Sequence, residues 1–401
     1  MTRNRRQRLF QLGTLVFSGL LALLIAEVGI RIWQTRKQAA AKVVLKPDIS
    51  GCFPGYEHPG RNYESQENFP PMVFDAVTCY RPEPGHVGNG VRINRQGFRY
   101  PTDLEEPSAE TFRVFILGGS FAYGAGCPDE VTYFRIAENK LREQFPDRKI
   151  EVVCAAAGAF SSLQEHFALI SRVTRYRPGL VIFITGANDA YFATKGQSVL
   201  DGNDYLAYNA AIRGCIDGRI LRRYYYGQVF RDSKTPFPPL YDDYGCKTRW
   251  LIEKVFYNAA GKTPKSVTIE DAKRLSTADD FLYMQRLNAA WGRSEKVPTV
   301  VMLQPTISTV TKPKHASESQ IHANHTDDFH AILRLVYEQM KSGLGSQNEM
   351  EWIDLNEVVS TMSESQSFFV DWVHAGETGQ RVVGEQLATL IAGYLDSPIQ
   401  R

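Results

Sequence analysis

Most of the signatures that place a sequence quickly are missing from this one. Its 401 residues hold no internal repeat and no low-complexity tract, which excludes a solenoid or a fibrous array. Neither sign of charge predominates. A formal net charge of +2, with no basic patch interleaved with aromatics, gives no basis for nucleic-acid binding. Cysteine is scarce. Cys52, Cys79, Cys127, Cys154, Cys215 and Cys246 include no Cys-x-x-Cys, and their spacing argues against a zinc or iron–sulfur centre. With 43% apolar and 22% charged residues, the chain has the make-up of an ordinary globular protein, long enough for one large domain with insertions.

One long apolar run stands out near the start. Arg3, Arg5, Arg6 and Arg8 precede residues 9–30, a stretch of 22 residues in which Glu27 is the single charge. At 1.5 Å per residue this length crosses a bilayer core, whereas a signal peptide has a shorter apolar region and a nearby small-residue cleavage site. Ala39-Ala40-Ala41 lies too far downstream to serve as that site. The expectation is an uncleaved anchor in a single-pass membrane protein, with residues 1–36 as cytoplasmic stub and anchor and the body periplasmic or extracellular. Arg31, Arg36, Lys37 and Lys42 nearly balance the arginines on the other side, so the charge bias that sets topology is small. In an oxidising compartment Cys52 with Cys79 and Cys215 with Cys246 are plausible disulfides, while Cys127 and Cys154, beside expected core strands, are read as free and buried.

Residues 37–111 have little periodicity and many Pro and Gly, and read as an irregular spacer and wrapping segment. Within it Asn94-Arg95-Gln96-Gly97-Phe98-Arg99 is turn-rich, and Phe98 is expected to dock onto the main domain. Strand-like and helix-like segments then alternate, the pattern of a mainly parallel sheet covered on both faces. The expected strands are 113–117, 150–155, 180–185, 299–303 and 351–355, and the expected helices 131–144, 162–176, 327–340 and 378–395. Together, residues 112–398 predict one α/β domain, a three-layer αβα sandwich around a five-stranded sheet. Residues 190–297 replace what would be a single crossover and are expected to form a cap or subdomain, since a structureless loop of that length is rare.

Three segments could carry chemistry. Ser120 ends the run Val114-Phe115-Ile116-Leu117-Gly118-Gly119-Ser120, where the glycines let the backbone turn tightly and leave a hydroxyl at the sheet edge. No Gly-Lys-Ser/Thr follows, so a phosphate loop is disfavoured. Gly186-Ala187-Asn188-Asp189 follows the third expected strand, and the Asn188 amide could donate to an oxygen held over Ser120, although a simple turn would also use an asparagine there. Asp371-Trp372-Val373-His374 places a carboxylate and an imidazole on one loop, and a serine needs such a base, itself fixed by a carboxylate, to become a nucleophile. Asp327 and His330 share that spacing, but they open an expected helix, where an acidic first turn is favourable in its own right. His322, His325 and His330 have no metal-ligand spacing, and no metal or cofactor is expected.

Taken in order, these segments resemble the SGNH, or GDSL-like, lipase and esterase superfamily. Gly118-Gly119-Ser120 matches its first block with Gly119 where the family commonly has Asp. Gly186-Ala187-Asn188-Asp189 matches the third without change, and Asp371-Trp372-Val373-His374 the last. The second block, usually Asn-x-Gly-x-x-Gly, is altered to Cys154-Ala155-Ala156-Ala157-Gly158-Ala159. The resemblance implies an SGNH fold of flavodoxin-like type and a Ser120–His374–Asp371 triad. It also implies oxyanion donors at the Ser120 N–H, the Ala159 N–H, which could shift to Gly158, and the Asn188 side chain. The implied activity is hydrolysis of acyl or acetyl esters on a cell-envelope glycan or lipid. An O-acyltransferase of an extracytoplasmic polysaccharide and a non-catalytic glycan-binding protein are the alternatives.

Overall fold

The computed structural model describes residues 72–75, 77–88, 90–106, 110–200, 267–347 and 350–396. They belong to one of the two units into which the chain divides, Leu45–Gly227 with Val267–Arg401; the other, Met1–Val44 with Gln228–Ser266, lies outside the described residues. The described strands are β1 (Met72–Asp75), β2 (Cys79–Pro82), β3 (Val87–Gly88), β4 (Val91–Arg92), β5 (Thr111–Gly118), β6 (Lys149–Cys154), β7 (Leu180–Thr185), β8 (Thr299–Leu303) and β9 (Glu351–Asp354). The α-helices are α1 (Ser120–Tyr123), α2 (Tyr133–Gln144), α3 (Ser162–Ala168), α4 (Ala187–Ala193), α5 (Ile269–Ala272), α6 (Thr277–Glu295), α7 (Ala316–Ala323), α8 (Asp327–Ser346), α9 (Leu355–Ser360) and α10 (Glu377–Asp396).

Near-continuous apolar runs such as Leu180–Thr185 form strands buried on both faces, which is the requirement of a parallel sheet between helix layers. The sheet has the order β6-β5-β7-β8-β9, and every pair in it is parallel. The two-residue period of each strand divides its side chains between two cores. Val114, Ile116, Ile182, Ile184, Val300 and Met302 face α2 and α10, which contribute Phe134, Leu141, Val383, Leu387 and Ile391. Phe115, Leu117, Val181, Phe183, Val301 and Leu303 face the other layer, with Phe281 of α6 and Leu333, Val336 and Met340 of α8. At roughly 1.5–3 kcal/mol for each large apolar side chain removed from water, these two cores supply the main drive for the fold. The expected αβα sandwich with five parallel strands is therefore present.

Several boundaries differ from the sequence reading. Residues 277–295, expected within an insertion spanning 190–297, form α6, a 19-residue helix of the sandwich itself. Only residues 201–266 of the expected insertion lie outside the described residues. The helix expected over 162–176 stops at Ala168 and continues as a π-type turn and a 3-10 turn before Arg177 adopts φ +47°. Leu355 leaves the last strand because Asp354 caps α9, its Oδ1 accepting the Asn356 N–H at 2.9 Å.

The part of the expected spacer that is described packs on the domain. Phe98 is fully buried, edge-on to Phe115 and Tyr176 with ring centroids 5.3 and 5.4 Å away. The Arg99 N–H donates to the Cys154 carbonyl at 2.9 Å. The Arg99 guanidinium, 1% exposed, enters the loop after α1, donating to the carbonyls of Tyr123 (2.8 Å), Gly124 (3.0 Å) and Cys127 (2.5 Å) and to Asp129 (2.7 Å). Cys127 and Cys154 are free and buried, whereas the pairings expected for Cys52–Cys79 and Cys215–Cys246 rest on residues outside the described set. Residues 9–30 lie outside it too; among the described residues no helix is long and apolar enough to cross a membrane.

Candidate functional site

With β5 between β6 and β7, chain connections diverge at the carboxyl ends of β5 and β7, and such a switch point opens a crevice in α/β sheets. Both strand ends turn on glycine. Gly118 has φ +152°, and an added Cβ would lie 2.3 Å from both Ala122 Cβ and the Ile184 carbonyl oxygen. The chain can therefore leave β5 and enter α1 only with glycine there. Ser120 is the first residue of α1, half-buried, and its N–H has no acceptor among the described residues.

Asn188 lies in the first turn of α4, after Gly186 at φ +104°. Its Nδ2 donates to the Phe160 carbonyl at 2.7 Å, which leaves one amide N–H for a second acceptor. A Cβ on Gly119 would come within 2.3 Å of that Nδ2. In this chain the Asn188 amide thus occupies the space that a side chain at 119 would need.

The altered second block forms a tight turn in which Ala159 takes φ +60°, a left-handed conformation that costs a residue with a Cβ roughly 1–2 kcal/mol. The Gly158 carbonyl accepts the Tyr80 hydroxyl at 2.7 Å. In a trans peptide the carbonyl and the following N–H point in opposite directions, so Tyr80 directs the Ala159 N–H away from itself. That N–H has no acceptor among the described residues. The Gly158 N–H has no acceptor among the described residues either, so both expected positions carry an open N–H, with the Gly158 carbonyl anchored on Tyr80. Tyr80 was not visible as a site residue in the sequence, because it lies in the segment read as spacer and acts on a backbone group.

From the other side comes a hairpin tip. The Val370 N–H donates to the His374 carbonyl (3.0 Å) and the Gly376 N–H to the Phe368 carbonyl (2.8 Å), while the Ile307 N–H holds the Trp372 carbonyl (2.9 Å). Asp371 Oδ1 accepts the N–H groups of Val373 (2.8 Å) and His374 (2.7 Å), which turns Oδ2 to His374 Nδ1 at 2.6 Å. His374 Nε2 is 2.7 Å from Ser120 Oγ. Since a carboxylate only accepts, Nδ1 carries the proton and Nε2 accepts the serine hydroxyl. Burial raises the Asp371 pKa, but the imidazole charge and the hydrogen bonds from His374 and Val373 outweigh it and hold the carboxyl below its usual value.

Beneath Asn188 lie two buried acids. Asp189 accepts the Ser162 N–H at 3.2 Å and the Ser162 hydroxyl, and burial pushes its pKa up to about 6. Glu165 accepts the Thr185 hydroxyl at 2.9 Å and is raised well above the carboxylate range, by burial first and by Asp189 second. Ser120, Asn188, Ala159, Asp371 and His374 are thus brought together. His322, His325 and His330 form a separate cluster, with the His322 and His330 rings stacked 3.7 Å apart and 4° from parallel. Among the described residues no group of three or more His, Cys, Asp or Glu side chains is placed to hold a metal ion. The arrangement can deliver a base to a hydroxyl and, opposite it, N–H donors to an oxygen.

No family model matches the sequence, and no curated protein matches it. Among solved structures, the chain is similar to an acetyl xylan esterase, with 11% identity, a TM-score of 0.38, and coverage of 70% of this chain and 99% of that one. It is also similar to a GDSL-like lipase from Bacteroides thetaiotaomicron, with 10% identity, a TM-score of 0.36 and coverage of 72% and 92%. An acetylxylan esterase from Geobacillus stearothermophilus gives 12% identity, a TM-score of 0.37 and coverage of 72% and 95%.

Proposed function

We propose that this protein is a serine ester hydrolase of the SGNH, GDSL-like type, acting on acyl or acetyl esters of a cell-envelope glycan or lipid. The observation that carries the reading is the relay Ser120 Oγ, His374 Nε2, His374 Nδ1, Asp371 Oδ2, with contacts of 2.7 and 2.6 Å at its two junctions. His374 takes the Ser120 proton as the oxygen attacks the ester carbonyl. Asp371, kept ionised by its hydrogen bonds, fixes the tautomer and stabilises the imidazolium. The Ser120 and Ala159 N–H groups and the remaining Asn188 amide N–H receive the charge that develops on the carbonyl oxygen. His374 then returns the proton to the departing alcohol, and water, activated by the same imidazole, releases the acid. No cofactor enters this scheme.

The glycan or lipid class and the membrane location rest on the apolar run at residues 9–30, which would hold the site near an envelope surface. The test is covalent. An activated short acyl ester or an organophosphonate added to the protein should leave a mass increment on the peptide that bears Ser120, and none after Ser120→Ala. Absence of both adduct and turnover across short acyl esters and acetylated glycans, with the fold intact, would overturn the proposal.

A further inference from the structure

Two fully buried charges lie behind the Asp371–His374 hairpin. Lys312 and Glu318 are 0% and 1% exposed at their side chains and are paired with each other. Glu318 sits in the first turn of α7. Its Oε2 accepts the Lys312 ammonium and the His315 N–H (3.1 Å), and its Oε1 accepts the N–H groups of Phe368 (2.7 Å) and Phe369 (3.0 Å). Lys312 Nζ also donates to the Gln366 carbonyl at 3.1 Å. The pair therefore grips residues 366–369, the segment that leads into Asp371. The Phe368 carbonyl accepts the Gly376 N–H across the hairpin, and the Phe368 ring stacks on Phe121, next to Ser120, at 6.3 Å and 19°.

A buried ion pair is a poor way to gain stability, because desolvating two charges commonly cancels their attraction and apolar residues of similar volume serve as well or better. Its value lies in fixing geometry. We infer that the Lys312–Glu318 pair is a positioning device that sets the register of the Asp371–His374 hairpin against Ser120, with Phe368 as the link between base and nucleophile. The inference deepens the esterase reading and rests on it for its kinetic consequences. Neither residue touches the reacting atoms. Their effect passes through the backbone of residues 366–369.

The experiment is the double substitution Lys312→Met with Glu318→Leu in the full chain, which removes both charges and with them the acceptor for the Phe368 and Phe369 N–H groups. A positioning role predicts a kcat lowered about tenfold to a hundredfold, as a misplacement of about 1 Å would give. KM should stay within about twofold. A folded double variant with wild-type kcat overturns the inference. If the double variant fails to fold, Phe368→Leu decides, since it keeps the backbone bonds and removes the ring stack; a severalfold lower kcat supports the link and a wild-type kcat overturns it. A second readout needs no substrate. The nitrogen resonance of His374 Nε2, which reports its hydrogen bond from Ser120 Oγ, should differ between the wild-type protein and the double variant. Its persistence unchanged overturns the positioning role even if the wild-type protein hydrolyses no ester, a result that would instead count against the proposed function.

Discussion

The chain contains two Asp-x-x-His segments, each bringing its histidine to a serine, and they differ in what holds the far side of the ring. His374 Nε2 meets Ser120 at 2.7 Å while its Nδ1 is held by the carboxylate of Asp371. His330 Nδ1 meets Ser308 at the same 2.7 Å, but its Nε2 donates to the His322 carbonyl at 3.0 Å. Asp327 begins α8 and is exposed; the helix carries it away from the ring that its spacing would pair it with. At the hairpin tip, by contrast, two backbone N–H groups fold the Asp371 carboxylate back onto His374. A neutral carbonyl does not stabilise an imidazolium as a carboxylate does, and Ser308, 5% exposed, offers no room for a substrate. Equal spacing and an equal Ser–His contact thus accompany a carboxylate-backed imidazole in one place and a carbonyl-backed core histidine in the other.

The sharpest test compares the two serines. Ser120→Ala should lower kcat by about 10⁴-fold or more, whereas Ser308→Ala should leave ester turnover within about twofold and lower unfolding stability by about 1 kcal/mol, the worth of a buried hydrogen bond. Equal losses from both would break the comparison. Next come the two aspartates: Asp371→Asn should reduce kcat by about 10³–10⁴-fold through the wrong tautomer, and Asp327→Asn should be kinetically silent. A smaller effect is expected from Gly119→Ala. Its new Cβ would displace the Asn188 amide now 2.3 Å from that position, and a kcat about tenfold or more below wild type would mark the donor side that Ser120 has and Ser308 lacks.

The smallest effect is on stability against pH. Burial, followed by the charge of His330, lowers the His322 pKa from the usual 6.5 to about 4, and His325 and His330 are lowered as well, by burial first. For a base whose pKa is lowered by folding, the unfolded chain binds more protons between those two values. Their contribution to stability should therefore fall as pH drops from about 6.5 towards 4. The Asp371 carboxyl, lowered by folding, contributes in the opposite region: its stabilisation is present above its usual value and is lost only as pH falls through the depressed one. Asp189 and Glu165, whose carboxyls are raised by burial, act in the opposite sense over the same range, so the readout is a difference: between pH 7 and pH 5 the melting temperature of His322→Phe, which keeps a stacked ring and removes one titrating group, should decline less or rise more than that of the wild-type protein.

How much of this the sequence disclosed follows from what each element depends on. The strands at 180–185 and 299–303 have the expected bounds because their branched apolar runs are set off by Pro178-Gly179 and Pro298. Helix α6 was missed because Gln285 and Asn288 are buried in it, which breaks the apolar stripe that marks a core helix. Helices α1 and α4, four and seven residues long, are too short to show a period. Ser120, Asp371 and His374 stand out in the sequence because their side chains bond to one another directly. Tyr80 and Glu318 do not, since each acts on backbone groups of residues distant in the chain, and no local pattern records such a partner.

Arg99 makes the order of assembly matter. Its guanidinium comes from a segment that precedes β5, yet it fills the turn that follows α1 and satisfies three carbonyls there. A chain shortened to begin at Thr111 would keep the whole five-stranded sheet and every residue of the relay, but the Tyr123 and Cys127 carbonyls would lose the guanidinium that now meets them. The turn that follows the nucleophile's helix is therefore completed by a segment that precedes the sheet.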